Sequence, residues 1–292
     1  MAAQKSKLNR PLVSDYVILL LLIVYGLIIV YPFYYTLVVS LISQTEFMQT
    51  KLVLFPKNIT VESYKFVLSS PMILSGFAVS VVLTAVGTLY SMLLTVSFAY
   101  VMTKPIPGNK LFHYIMIFTM YFSGGLIPTY ILIQKLGLLD SLFSIILPAG
   151  INVSYVLIIM RFFKEIPASL EESARLDGCS DIQILFKIVL PLSLPVLATF
   201  SLYYGVEKWN EWYSAMLYIK TSSKLPMQMV LRNIVQNVDT VINSNEIIDD
   251  SKIYSDGVKM ATVVVTMLPI MCLYPFLQKY FVNGLTSGAV KE

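Results

Sequence analysis

Charged residues are scarce in this chain. Lysine, arginine, aspartate and glutamate make up 13% of its 292 residues, whereas soluble domains carry about 25%. Hydrophobic residues account for 57% of the chain, and the mean hydropathy is +0.73. This composition excludes an ordinary soluble domain and predicts an all-α, polytopic membrane protein. The 21 basic residues only slightly outnumber the 17 acidic ones and form no basic block, so a nucleic-acid partner is not expected.

Groups that carry catalytic or metal chemistry are equally scarce. Two cysteines, Cys179 and Cys272, share no spacing motif, and His113 is the only histidine. Neither a disulfide framework nor a Cys/His metal site is therefore expected. The chain has no G-x-x-x-x-G-K-[ST] phosphate-binding loop and no G-x-S-x-G nucleophile motif. We expect a non-catalytic chain without a cofactor of its own; the alternative is a membrane enzyme whose activity depends on His113.

Six apolar segments approach or exceed the roughly 20 residues needed to cross a bilayer. They lie at about 16–42, 74–102, 111–133, 142–163, 188–218 and 258–282. The predicted organisation is a six-helix domain between two tails, with one charged loop inside it: residues 1–15, 16–282, 164–187 and 283–292. The first segment exceeds a signal-peptide core of about 7–15 residues and has no small-residue cleavage site, so we expect it to be retained.

The distribution of charge predicts the orientation of the chain. Lysine and arginine occupy the short loops on the side of the N-terminus, whereas the basic residues of the other side lie mostly in two long loops. Long loops count less in the positive-inside rule. The second side is also richer in aspartate and glutamate. Both termini are therefore predicted to be cytoplasmic.

A charged stretch interrupts the hydrophobic chain between the fourth and fifth segments. Ser169 precedes Glu172 by three residues, which is the spacing of a capping box at the start of a helix. Gly178 is a typical residue for ending one. These signals predict a short helix at about 170–177, roughly 12 Å long at 1.5 Å per residue.

The predicted helix carries charges on one face and needs a packing surface. Glu171 and Arg175 are four residues apart and can pair. Ser180 and Gln183 repeat the capping spacing and restart a helix that leads into the fifth segment. Helices shorter than about 12–15 residues are marginal in water, so the apolar side at Ala174 must rest on something. On local grounds the helix either lies on its own membrane domain or docks on a partner.

The stretch also follows a longer spacing pattern. It has a Glu-Ser-Ala triplet, then a glycine after three residues, then I-x-L-P after nine more: Glu172, Ser173, Ala174, Gly178, Ile188, Leu190 and Pro191. This pattern resembles the EAA loop of ABC-importer permeases, with serine where that family usually has alanine. The resemblance implies that the short helix is a coupling helix that docks in a cleft of an ATPase. The residues expected to carry this coupling are Glu171, Glu172, Ala174, Arg175, Asp177, Gly178, Leu190 and Pro191.

Other stretches widen the resemblance to nearly the whole chain. Residues 123–141, 146–167 and 206–219 resemble carbohydrate permeases of the maltose type, and residues 224–237 and 278–292 resemble their branch for complex polysaccharides and oligosaccharides. The resemblance implies a type I importer permease in a bacterial cytoplasmic membrane. Its implied partners are a second homologous permease, two ATP-binding subunits that hold ATP and Mg²⁺, and an extracellular solute-binding protein. The implied cargo is a saccharide.

Polar residues recur along the fifth segment with helical spacing. The positions i, i+4, i+7 and i+11 are occupied by Tyr203, Glu207, Asn210 and Ser214, with Glu211 beside them. Charged residues inside membrane segments usually face a cavity or a partner, and Lys208 can pair with Glu211. These five residues therefore form a candidate substrate pathway. The neighbouring aromatic residues are also typical of the interfacial belt, so a purely structural role stays open.

Two further alternatives concern the transport mechanism and the cargo. A stand-alone secondary transporter would take up its substrate without an ATPase, and such folds usually contain inverted repeats, of which we find no sign in the sequence. An ABC importer for a non-sugar solute would share the coupling loop but not the similarity of residues 123–141 and 224–237 to saccharide permeases.

Overall fold

The computed structural model describes residues 13–49, 53–243 and 254–289. All regular elements in these ranges are helical, which confirms the all-α prediction for the described part of the chain. In chain order the α-helices are α1 (Val13–Ser40), α2 (Gln44–Gln49), α3 (Glu62–Ser69), α4 (Pro71–Val101), α5 (Asn109–Tyr121), α6 (Leu126–Lys135), α7 (Phe143–Ile146), α8 (Val153–Lys164), α9 (Ala168–Leu176), α10 (Asp181–Ile184), α11 (Leu190–Leu192), α12 (Leu194–Trp209), α13 (Tyr213–Tyr218), α14 (Met227–Asn243) and α15 (Ser255–Ala289). A π-helical segment, Leu185–Val189, lies between α10 and α11, and a 3-10 turn occupies Ser222–Lys224.

The chain divides into two compact units, residues 1–67 with 238–264 and residues 68–237 with 265–292. In the first unit, α1 exposes its apolar side chains along most of its length. Only its C-terminal end is buried: Val39 packs with Tyr254, whose hydroxyl donates to the Val39 carbonyl at 2.6 Å. A helix that is apolar and exposed in this way suits contact with lipid.

Helix α4 is central to the second unit, where it packs against α12 and α8. Gly87 provides room for this packing, because a Cβ atom there would lie 3.2 Å from the Lys208 side chain. The hydroxyls of Thr95 and Tyr204 are hydrogen-bonded across the same interface at 2.7 Å. The buried apolar residues around it include Tyr100, Val156, Ile159, Phe163 and Phe200.

The third and fourth predicted segments, 111–133 and 142–163, are interrupted. The third consists of α5 and α6, which are bent by 112° across a break of four residues. Gly125 has φ 88° and ψ 174°, a conformation essentially restricted to glycine, which explains the break. The fourth consists of the single turn α7 and, after a non-helical stretch, α8. The apolar runs predicted the length of these segments but not their interruptions.

The fifth predicted segment, 188–218, is divided at both ends. The helical run Asp181–Leu192 meets α12 at Ser193 with a bend of 86°. Pro191 and Pro195 flank this bend, and proline both lacks an amide donor and disturbs the preceding turn. Helix α12 then ends at Trp209, so the predicted helix through residue 218 is incorrect.

Membrane-crossing candidates are fewer than the sequence predicts. Among the described residues, three helices are long and apolar enough to cross a membrane, at Ser14–Ser40, Pro71–Val101 and Ser255–Cys272. The count rises to five if each of the two bent pairs is one span. The chain is therefore membrane-integral, and the six-span count stays a prediction. The last helix also extends to Ala289, beyond its predicted end at 282.

A polar clamp joins the loop after α6 to the loop after α13. The carboxylate of Asp140, whose φ is +58°, accepts hydrogen bonds from the amides of Lys220 (3.0 Å) and Thr221 (2.9 Å) and from the Thr221 hydroxyl (2.6 Å). Lys224 Nζ lies 3.1 Å from the same carboxylate. The Thr221 hydroxyl, followed by the two amides and Lys224, holds the pKa of Asp140 well below its usual range. The clamp therefore stays charged throughout the physiological pH range.

Candidate functional site

The short charged helix predicted at 170–177 is present as α9, Ala168–Leu176. Its start differs from the prediction: Pro167 is the N-cap, no side chain caps the helix, and Ser169 lies inside the first turn. Proline has its φ angle pre-set near the helical value, and its lack of an amide donor costs nothing at a helix start. The predicted Ser169–Glu172 capping box is therefore wrong.

The end of α9 agrees with the predicted glycine stop. Gly178 has φ +81°, its amide donates to the Arg175 carbonyl at 3.0 Å, and the Cys179 amide donates to the Ala174 carbonyl at 2.9 Å. This pair of bonds is a Schellman motif, which needs a left-handed residue where L side chains are strained. The chain then leaves α9 in a sharp turn.

The second predicted capping box is formed. Ser180 Oγ accepts from the Gln183 amide at 3.4 Å, and Gln183 Oε1 accepts from the Ser180 amide at 2.9 Å. Together they begin α10, which leads through the π-helical segment towards Leu190 and Pro191. Leu190 is half-buried against the core, whereas Pro191 is exposed.

The predicted coupling residues divide into an inward and an outward group. Glu171 accepts a hydrogen bond from Lys104 of the α4–α5 loop, and Arg175 lies 3.8 Å from Glu171 and 3.0 Å from Asp181. These contacts attach α9 to its own membrane domain. Ala174, 8% exposed, packs into the core cluster of the second unit, so in this chain the apolar side of α9 rests on its own membrane domain.

The outward group consists of Glu172, Asp177 and Gly178, all exposed. Leu176 joins them: its side chain is 89% exposed, and it is not among the predicted coupling residues. A leucine at the end of a charged loop helix is a signal that could have been used, because a large apolar side chain is costly in water. The outward face of α9 therefore combines carboxylates with one exposed apolar side chain.

A separate cleft of about 450 Å³ lies between the end of α5, the α7–α8 connection and α12. Glu207 and Tyr204 of α12 line one wall, and Asn152 and Ser154 line another. The Tyr204 hydroxyl accepts from the Asn152 amide at 2.9 Å. The cleft thus offers a carboxylate, hydroxyls and backbone groups at one place.

The Glu207 carboxylate of this cleft is bonded to an aromatic pair that lies beside the lining residues. The Tyr155 hydroxyl donates to Glu207 Oε1 at 2.5 Å, and the Tyr155 ring stacks on Tyr203 with centroids 5.9 Å apart. Tyr155 was missed in the sequence, where a tyrosine inside an apolar run was the available signal. The structure therefore brings together two of the five predicted pathway residues, Tyr203 and Glu207.

The other three predicted pathway residues do not continue the same stripe, because α12 ends at Trp209. Asn210 Oδ1 accepts from Gln228 Nε2 at 3.1 Å. Glu211 Oε1 accepts from the Ser214 amide at 2.8 Å and so caps the start of α13. The single helical stripe predicted from the i, i+4, i+7, i+11 spacing is therefore wrong beyond its first two members.

Lys208 is buried, with 3% of its surface exposed. Its Nζ donates to the Ala149 carbonyl at 3.1 Å, and Ser91 donates to the same oxygen at 3.3 Å. No ion pair with Glu211 within 4.0 Å is present among the described residues, which corrects the predicted pairing. Lys208 instead ties α12 to the carbonyl that borders the cleft.

Nearly the whole chain is similar to known transport proteins. A family model described as "Binding-protein-dependent transport system inner membrane component" matches residues 92–287. Protein LplC of Bacillus subtilis (strain 168) is 42% identical over 91% of this chain and 90% of its own length. The polygalacturonan/rhamnogalacturonan transport system permease protein YtcP of the same organism is 40% identical over 92% of this chain and 95% of its own length. A solved bacterial ABC transporter involved in the import of the acidic polysaccharide alginate contains a chain with a TM-score of 0.84 and 31% identity, covering 94% of this chain and 99% of that one.

Proposed function

This chain belongs to the family of binding-protein-dependent transport system inner membrane components, and from that premise we propose that it is the permease subunit of an ATP-driven importer for oligosaccharides derived from polysaccharides. The observation that carries the proposal is the similarity of nearly its full length to YtcP and to a chain of the alginate importer. Those proteins are named for polygalacturonan/rhamnogalacturonan and for alginate. We extend this class of cargo, oligosaccharides derived from polysaccharides, from those proteins to this chain.

The chain supplies a membrane pathway and a coupling element, while hydrolysis takes place on its partners. It has no phosphate-binding loop, so ATP and Mg²⁺ belong to two ATP-binding subunits. A second permease completes the pathway, and an extracellular binding protein delivers the cargo. Both termini are cytoplasmic, which puts α9 on the side of the ATPase.

Helix α9 transmits the ATPase motion to the membrane helices. Its inward contacts, Glu171 to Lys104 and Arg175 to Asp181, attach it to its own domain. Its outward face presents Glu172 and Leu176 to a partner cleft. A helix held on one side and free on the other transfers a push as a rigid body, because its displacement must move the groups bonded to it.

The cleft around Glu207 forms part of the substrate path. Sugars need hydrogen-bond partners for their hydroxyls and flat apolar faces for their rings, and the Tyr155 and Tyr203 rings beside Glu207 offer both. The cleft of about 450 Å³ falls within the usual range of roughly 300–1,000 Å³ for small-molecule sites. This supports a path for saccharide units through the second unit.

The proposed function is tested by purifying the tagged chain from its native membrane in mild detergent and identifying what accompanies it. A second permease and an ATPase are expected, and the purified assembly should show ATP hydrolysis stimulated by oligosaccharide together with the binding protein. A chain that purifies alone and still catalyses uptake in liposomes would refute the proposal in favour of a secondary transporter.

The proposed orientation has its own test in single-cysteine variants of a cysteine-free chain. A cysteine at Asp177 should react with a membrane-impermeant maleimide only from the cytoplasmic side, and one at Ser222 only from the outside. Labelling of both positions from the same side would contradict the assignment.

A further inference from the structure

A second cleft, of about 340 Å³, lies between the N-cap of α13 and one face of α14. We call it the Arg232 cleft. It is lined by Trp212, Gln228, Leu231, Arg232, Val235 and Gln236. It does not include the Glu207 cleft residues, and none of its residues was among the predicted site residues. Its lining combines one cation, two amides and apolar side chains, a set that suits a polar ligand carrying an anionic group.

The α14 wall of this cleft is firmly attached to α4. The first amide of α14, that of Met227, donates to Ser80 Oγ at 2.8 Å. Val230 lies so close to Gly76 that a Cβ atom on Gly76 would be 2.8 Å from Val230 Cγ2. Such a contact fixes the helix position, because only glycine permits it. The groups on the outer face of α14 are therefore positioned before any ligand arrives.

A pair of side-chain amides connects α14 to the end of α12. Gln228 Nε2 donates to Asn210 Oδ1 at 3.1 Å, so α14 is bonded to the residue that ends α12. Asn210 follows Glu207 by three positions in the chain. The Arg232 cleft is therefore attached to the end of α12, and the last turn of α12 lines the Glu207 cleft.

Arg232 is held by an aromatic ring rather than by an acid. Its guanidinium carbon lies 4.2 Å from the centroid of the Trp212 ring. Within the described residues it takes part in no ion pair shorter than 4.0 Å. Glu211 precedes Trp212 in the chain, and its carboxylate accepts a hydrogen bond from the Ser214 amide. A guanidinium stacked on a ring keeps its N–H groups in its own plane, where they remain able to bind a carboxylate through two parallel hydrogen bonds.

We propose that the Arg232 cleft binds a carboxylate-bearing sugar unit of the oligosaccharide cargo, an inference that rests on the proposed function. Arg232 pairs with the sugar carboxylate, Gln228 and Gln236 bond to hydroxyls, and Leu231 and Val235 contact the apolar face of the ring. The cargo is accordingly a uronic-acid oligosaccharide. A neutral sugar would supply no charge to pair with the guanidinium, which has no acidic partner among the described residues, and would gain no comparable bond.

The experiment uses the complete importer in proteoliposomes with its binding protein. The probes are oligogalacturonates and oligomannuronates of two to four units, together with their carboxyl-reduced, uncharged counterparts. Uptake is measured against concentration for the wild type, Arg232→Gln and Arg232→Lys. Arg161→Gln is the matched control, since Arg161 is an exposed arginine whose one ion pair among the described residues is with Glu165, at 3.7 Å.

Arg232→Gln should raise the half-saturating concentration of the uronides about tenfold or more, the effect of losing a hydrogen bond between charged groups. The reduced sugars should change less than about twofold. Arg232→Lys should fall between, because it keeps the charge and the aliphatic stem but loses the planar fork. Arg161→Gln should match the wild type. Co-purification of all subunits shows that each variant assembles.

Three results would overturn the inference, and a fourth concerns the proposed function. A carboxylate site is ruled out if the wild type takes up the carboxyl-reduced sugars but not the uronides. It is also ruled out if Arg232→Gln raises the half-saturating concentration equally for the uronides and the reduced sugars. Weaker binding of the cargo-free binding protein to the Arg232→Gln complex would assign Arg232 to an acidic side chain of that protein instead. A wild-type complex that transports no saccharide of either kind contradicts the proposed function itself.

Discussion

Replacing Gly178 by valine perturbs the end of α9 through its backbone alone. Gly178 has φ +81°, and a Cβ atom there would meet no heavy atom within 4 Å. Valine therefore causes no collision, but a left-handed conformation costs an L residue about 1–3 kcal/mol, towards the upper end for a β-branched side chain. A domain is stable by about 5–15 kcal/mol, so the fold should survive.

The strain is relieved by breaking the Schellman bonds of Gly178 and Cys179, at 3.0 and 2.9 Å. The turn after α9 then loosens, and the motion of the ATPase no longer reaches α12 through a rigid connection. The expected result is an assembled complex that hydrolyses ATP but transports several-fold less cargo per ATP. Proteoliposomes allow both rates to be measured on the same sample. Gly178→Asn should restore coupling in part, because asparagine tolerates the left-handed region.

Gly137→Val is a closely matched control. Gly137 has φ +67° and open space around its Cβ position. Its amide donates to the Gln134 carbonyl at 3.0 Å and the next amide to the Ile133 carbonyl at 3.1 Å, which is the same motif at the end of α6. The strain is equal, but the predicted location is the outer side. Normal transport per ATP in Gly178→Val, or an equal loss in Gly137→Val, would refute the coupling role of the α9 turn.

Two further perturbations probe the pathway and the loop clamp. Glu207→Gln should lower oligosaccharide uptake about tenfold, which corresponds to roughly 1.4 kcal/mol, the contribution of one hydrogen bond. Tyr155→Phe should lower uptake less, because the carboxylate remains. Uptake at the wild-type level in both variants would show that this cleft is not part of the substrate path. Asp140→Asn should lower the melting temperature of the purified complex, because the ionised carboxylate accepts from two amides and a hydroxyl. Because the pKa of Asp140 is lowered in the folded protein, the contribution of Asp140 to stability is fully present above its unfolded-state pKa of about 3.9 and is lost only as the pH falls through the lower folded-state pKa. The difference in melting temperature between Asp140→Asn and the wild type should therefore be the same at pH 5 and pH 8. A difference that shrinks markedly at pH 5 would contradict the clamp geometry.

Features that depend on local chemistry were predicted well from the sequence. The resemblance to ABC-importer permeases is confirmed by the family match, and the short helix, its glycine stop and the Ser180–Gln183 capping box all occur within a few residues of one another. Local capping fails only where a proline competes: Pro167 begins α9 two residues before Ser169 could. Proline needs no capping partner for an amide that it lacks.

Predictions that assumed one uninterrupted helix per apolar run were less successful. Apolar length indicates how much chain a membrane can hold, but it does not indicate where the helix breaks. Gly125 and the pair Pro191 and Pro195 produce bends of 112° and 86° that hydrophobicity alone does not reveal. A further break, the end of α12 at Trp209, separates Asn210 and Ser214 from the stripe to which their spacing assigned them.

By itself, the sequence determined the helical membrane class, the charged loop helix and its stop, because composition, periodicity and capping act over a few neighbouring residues. Only the tertiary structure decided which polar groups meet. Tyr155 reaches Glu207 across 52 positions, and Arg232 lies over Trp212 from a different helix. Such pairs depend on the angles at which bent helices pack and on the small residues that allow close approach, such as Gly76 under Val230. Those angles result from the whole set of contacts in the unit, and no short stretch of sequence contains them.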